Sequence, residues 1–119
     1  MLSPAQIAAI AARALDEKKA KDVKILKTTE QTVLADYFVI CNGNSSTHIK
    51  ALVDEVDKQL SEAGEPPVRR EGLRSDIWVL MDFGCVIVHV FTDEARKFYN
   101  LERLWSDSEV VDISSLPSP

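Results

Sequence analysis

The sequence lacks an excess of positive charge: 14 lysines and arginines stand against 19 aspartates and glutamates, for a net charge of -5. A domain of that sign repels phosphate backbones over long range, so little direct nucleic-acid contact is expected and a basic protein partner fits better. Cysteine is scarce. Cys41 and Cys85 each sit in an apolar run and read as reduced thiols of a cytoplasmic protein, not as a disulfide framework. No stretch approaches the ~20 consecutive apolar residues that span a bilayer. Met1-Leu2-Ser3-Pro4 puts no basic run ahead of an apolar core, which argues against a secretory signal. Repeats and low-complexity segments are absent as well. What is present, 45% apolar and 28% charged residues in 119, is the composition of one globular domain.

Ser3 and Pro4 suit the cap and first position of a helix whose Ile7, Ile10, Ala14 and Leu15 form one narrow apolar stripe, expected to pack closely but weakly. Charged residues 16–22 end it, and a short strand follows at 23–26. Residues 36–41 are aromatic or β-branched and apolar on both faces after Asp36, the pattern of an inner strand. A second helix is expected over about 46–63, with Ile49, Leu52, Val53, Val56 and Leu60 on one side and a stop at Gly64. Residues 68–71 read as an edge strand, and 76–82 and 85–91 as a hairpin about Phe83-Gly84. A last helix is expected from 93 to 105. The stretch 106–119, with three serines and two prolines in its final seven residues, reads as a flexible tail. The expected fold is α/β, a single two-layer domain over residues 1–105 with a mixed β-sheet in the order α-β-β-α-β-β-β-α.

Four side chains have metal-ligand chemistry: Cys41, His48, Cys85 and His89. Only Cys85 and His89 are close in sequence, sharing one face of a strand, so buried thiols account for the set better than zinc and no cofactor is expected. Gly43-Asn44-Ser45-Ser46 joins a strand to a helix, where free N–H groups can hold an anion. Gly43, Ser45 and Ser46 are therefore a candidate anion site, although helix capping explains the serines without a ligand. A Gly-Ser turn ahead of a helix also fits a nucleotidyltransferase. That chemistry needs paired carboxylates two residues apart on a strand to hold Mg²⁺, and no expected strand carries such a pair. No serine has a nucleophile-elbow context, so no catalytic residue is assigned.

Trp78 is the most informative residue. Alternation along 76–82 puts Ile77, Val79 and Met81 on one face and Trp78, Leu80 and Asp82 on the other. An unpaired Asp82 should not be buried, which makes the Trp78 face the better candidate for solvent and for a binding patch. The competing reading covers that face with the first or last helix.

Three stretches carry a resemblance. They are Ala35-Asp36-Tyr37-Phe38-Val39-Ile40 leading to Gly43-x-Ser45-x-x-His48, then Trp78-x-Leu80-Met81-Asp82-Phe83-Gly84 leading to Val86-Ile87-Val88-His89-Val90-Phe91, then Arg96-x-Phe98-Tyr99-x-Leu101-Glu102-x-Leu104-Trp105. In this order and spacing, over about residues 5–105, the chain resembles the ribosomal silencing factor (Iojap-like) family. The resemblance implies a nucleotidyltransferase-like topology without the catalytic carboxylates. It implies a non-enzymatic cytoplasmic repressor that docks on a protein at the intersubunit face of the large ribosomal subunit and keeps the small subunit from joining. Carried over, the partner-binding residues are Trp78, Leu80, Asp82, His89, Arg96, Tyr99 and Glu102. One position departs from the family: Cys85 stands where an acidic residue usually follows the turn glycine. Two other readings stay beside this one, a nucleotide-binding enzyme using the Gly43–Ser46 turn and a homodimerisation module exposing the Trp78 face.

Overall fold

The computed structural model describes residues 2–27, 36–72, 78–99 and 109–111. In chain order the elements are α1 (Pro4–Glu17), β1 (Lys21–Lys27), β2 (Tyr37–Gly43), α2 (Ser46–Glu62), β3 (Arg69–Glu71), β4 (Trp78–Asp82), β5 (Val86–Thr92), α3 (Asp93–Tyr99) and β6 (Glu109–Val111). The strands form one mixed sheet in the order β3-β4-β5-β2-β1-β6. Only β2 and β5 run parallel; every other neighbouring pair is antiparallel.

Local chemistry explains the helix ends. The Ser3 hydroxyl accepts from the Gln6 N–H at 3.2 Å while the Gln6 side chain accepts from the Ser3 N–H at 2.8 Å, a reciprocal capping box. At α2 the Ser45 hydroxyl accepts from the His48 N–H, and Gly64 leaves the helix at a left-handed φ of 87°. The first helix departs from the expected narrow stripe. Ile7, Ala8, Ala9, Ile10, Ala11, Ala12, Ala14 and Leu15 are all buried, so α1 is a central element held against α2, β1 and β2. Alanine spacing hides this, because a small apolar residue is tolerated on either face of a helix yet permits close approach when buried.

Helices α1 and α2 cover one face of the sheet. Their apolar residues meet Ile25, Val39, Cys41, Val79, Met81, Val88 and Val90 in one continuous core. Gly43 lets α2 come this close, since a Cβ there would stand 2.8 Å from Ile49 Cγ1. At the edge, Arg70 of β3 is tied to Asp57 at 2.8 Å and Asp54 at 3.3 Å on α2. The opposite face carries Leu26, Phe38, Ile40 and Phe91, with Ala95 of α3 packed among them.

The inner position of β2, the central position of β5 and the β4–β5 hairpin are as the sequence leads one to expect. Two further expectations are corrected. Residues 109–111, read as part of a flexible tail, form a sixth strand on the outer side of β1, pairing Leu26 with Val110. Cys85 and His89 do not share a face. Cys85 lies just ahead of β5 and packs toward the helix-side core, whereas His89 points to the other side. The last helix is described to Tyr99; residues 100–105 and Ile77 lie outside the described residues.

Candidate functional site: the Trp78 face of the sheet

Strand alternation and register bring four of the seven expected partner-binding residues together: Trp78, Leu80, Asp82 and His89. Across β4 and β5, Trp78 pairs with Phe91, Leu80 with His89, and Asp82 with Ile87. On the far side of β5, Phe38 pairs with Ile87, Ile40 with His89, and Asn42 with Phe91. All of these project away from α1 and α2. They grade from buried to half-exposed: His89 is 4% exposed and Phe91 0%, while Trp78, Leu80, Asp82 and Ile87 are half-buried.

An aromatic cluster holds the face together. Trp78 stacks on Phe91 with ring centroids 5.3 Å apart and 24° between planes, and His89 lies 5.3 Å from Phe38 and 6.0 Å from Phe91. The Trp78 indole Nε1 donates to Nδ1 of His89 at 3.2 Å. That bond requires an unprotonated Nδ1, so the proton of the neutral ring is on Nε2. Nε2 itself is buried without a hydrogen-bond partner among the described residues. Burial drives the His89 pKa from 6.5 down to about 4, which keeps the ring neutral at ordinary pH. His89 was expected to belong to the contact surface. It is buried instead, as the acceptor that fixes the indole. Gly72, at φ 82°, contributes from the chain side: a Cβ there would collide with the Trp78 carbonyl oxygen.

Asp82 is half-buried but paired, so the premise that it must face open solvent does not hold. Its Oδ1 accepts from the Gly84 N–H at 2.7 Å, and its Oδ2 lies 3.3 Å from Nε of Arg69. The first bond shapes the turn, whose strands are further joined by the Phe83 N–H donating to the Val86 carbonyl at 2.9 Å. None of these bonds uses the side chain of residue 85, so cysteine at that position leaves the turn intact. The Cys85 carbonyl accepts from the N–H groups of Asp36 and Tyr37, and burial raises the thiol pKa.

Arg96, also expected at the surface, is buried. It donates to the Asp22 carbonyl and, at 3.0 Å, to Oδ1 of Asn42, while Asn42 Nδ2 donates to Asp93 at 2.9 Å. Tyr99 is the last residue of α3, and Glu102 lies outside the described residues. At the candidate anion site, the Ser45 hydroxyl is occupied as a helix cap and Gly43 is buried against Ile49. His48 braces the same turn, with Nδ1 accepting from the Asn44 N–H at 2.9 Å and Nε2 lying 2.8 Å from the Lys18 carbonyl. No three His, Cys, Asp or Glu side chains gather among the described residues, and Asp82 is the sole carboxylate of β4. No helix among them is long and apolar enough to cross a membrane.

These features define a class: a small α/β domain in which Trp78, Leu80, Asp82 and His89 gather on one face of a mixed sheet around an aromatic cluster. The family described as "Ribosomal silencing factor during starvation" matches residues 2–119, and the chain belongs to that family. The match runs past residue 105, consistent with β6 as part of the domain. A ribosomal silencing factor of Bacillus subtilis is 42% identical over 104 residues, covering 87% of this chain and 88% of that one. The mouse protein called mitochondrial assembly of ribosomal large subunit protein 1 is 31% identical over 112 residues, covering 88% of this chain and 49% of that one. A crystal structure from Chromobacterium violaceum superposes with a TM-score of 0.86 at 37% identity, each chain covered to 88%.

Proposed function

We propose that this protein represses translation by occlusion, docking through the Trp78 face on a protein at the intersubunit surface of the large ribosomal subunit and excluding the small subunit. The observation that carries the reading is the half-exposed row Trp78, Leu80 and Ile87 beside the ion-paired Asp82. Apolar and aromatic area at the centre of a patch, rimmed by charge, is how protein interfaces concentrate their energy. The net charge of -5 suits a basic ribosomal protein, and electrostatic complementarity speeds encounter with it. The family description supports the silencing role, and the mouse relative's name connects a similar chain with the large subunit.

The mechanism needs no catalytic group. His89 and Phe91 hold the indole of Trp78 in one orientation before binding, which lowers the entropy lost on docking. The protein then acts as a cytoplasmic steric block without turning over a substrate.

The test is co-sedimentation of the purified chain with separated ribosomal subunits, followed by subunit rejoining with and without it. Pelleting with the large subunit alone and a lower yield of joined ribosomes is expected. A folded protein that pellets with neither subunit would overturn the proposal.

A further inference from the structure

The carboxyl ends of the parallel pair β2–β5 form a topological switch. Strand β2 runs into α2 on one face of the sheet, and β5 runs into α3 on the other. In open α/β sheets, the crevice where adjacent parallel strands send their connections to opposite faces is where ligands bind. Here that crevice is a groove of about 600 Å³, a volume suited to a small ligand.

Its lining runs against the charge of the whole molecule. In a chain with net charge -5, the groove is lined among the described residues by Lys21, Lys24, Arg96 and Lys97 against two carboxylates, Asp22 and Asp93, with Asn42 between them. Lys21 and Lys97 are exposed and have no ion-pair partner among the described residues. One of the two carboxylates, Asp93, is already engaged by Asn42. The β1 bulge between Lys21 and Lys24, where Asp22 takes a φ of 50°, turns the Asp22 carbonyl toward Arg96 and fixes the guanidinium at the groove wall. Cations spaced around a small cavity with one rigid arginine recognise a compact multivalent anion. The lining residues among those described are all charged or polar, which favours contact through a ligand's charged groups.

We propose that this groove binds a phosphate-bearing small molecule through its phosphate or pyrophosphate group. It is separate from the candidate anion site at the Gly43–Ser46 turn, and its binding requires no ribosome. It adjoins the Trp78 face: one row across the sheet runs Trp78, Phe91, Asn42, Lys21. An occupant would therefore sit about two to three strand spacings, roughly 10–15 Å, from the β4 backbone at Trp78.

Titration calorimetry of the full chain at low ionic strength, with pyrophosphate, adenosine diphosphate and a short single-stranded RNA as probes, tests this. Pyrophosphate and the diphosphate should bind, and the doubly substituted Lys21→Glu/Lys97→Glu protein should bind them roughly tenfold or more weakly. Lys50→Glu/Lys58→Glu on exposed positions of α2 changes the net charge equally and should leave binding unchanged. Three outcomes would overturn the proposal: neither small anion binds, both double variants lose affinity alike, or RNA binds where the two small anions do not.

Discussion

Trp78 and His89 face each other diagonally across the β4–β5 ladder, and the indole N–H of the first donates to the ring nitrogen Nδ1 of the second at 3.2 Å. An indole held in this way has only one orientation available to a partner, and the ring that holds it is out of reach of water.

Truncating Trp78 to alanine should weaken binding to the large subunit by about 2 kcal/mol or more, the range of an interface anchor. Trp78→Phe separates shape from the hydrogen bond. It keeps ring area but leaves Nδ1 of His89 buried and unsatisfied, and should cost about 1–3 kcal/mol of stability in denaturant unfolding. A Trp78→Phe protein as stable as the parent would show that the bond contributes nothing.

The histidine gives stability a pH dependence of defined sign. Folding lowers the His89 pKa from 6.5 to about 4, so between those values the unfolded chain binds the extra proton. The contribution is fully present above about 6.5 and is lost as pH falls toward 4, with a slope of up to about 1.4 kcal/mol per pH unit. His89→Gln keeps an acceptor but cannot titrate. Urea midpoints measured across this window should therefore fall less steeply for His89→Gln than for the parent.

Gly72 tests whether backbone placement of Trp78 matters. An added methyl group would meet the Trp78 carbonyl, and the residue sits at a left-handed φ. Gly72→Ala should lower stability by about 1–3 kcal/mol and also weaken docking, because the start of β4 must shift. Gly64→Ala is the matched control. It shares the left-handed φ, but its Cβ would meet nothing within 4 Å, so docking should be preserved.

The two thiols should label at very different rates. Cys41 is fully buried and its pKa is raised to about 12 by desolvation, whereas Cys85 is half-buried, its pKa raised chiefly by that burial. Maleimide should modify Cys85 in the native protein and Cys41 only as the core opens. Mass spectrometry of a labelling time course distinguishes the two, and early labelling of Cys41 would contradict the packing of β2.

Much of this was readable from pattern. The runs 36–41 and 85–91 have no polar face, and that alone assigns them to the middle of the sheet. The grouping of Trp78, Leu80 and Asp82 followed from alternation. What alternation cannot supply is register, so the burial of His89 under Trp78 was out of reach until β4 and β5 were paired. Strand β6 was missed because Glu109-Val110-Val111 is too short to show a period and leaves Val110 exposed. The basic groove was invisible for another reason. Its residues come from β1, β2 and α3, and no local window contains more than a few of them.

Among the described residues the sheet ends on both sides in strands of three residues, β3 and β6. A partner that recognises a protein by adding a strand needs a long ladder of open N–H and C=O groups, and neither rim offers one among the described residues. The docking proposed above relies accordingly on side chains and not on backbone. Backbone pairing tolerates nearly any sequence, but a face read through an indole, a leucine and an isoleucine does not. Affinity in this protein should accordingly be steeply sensitive to single substitutions on the Trp78 face and indifferent to those at the rims.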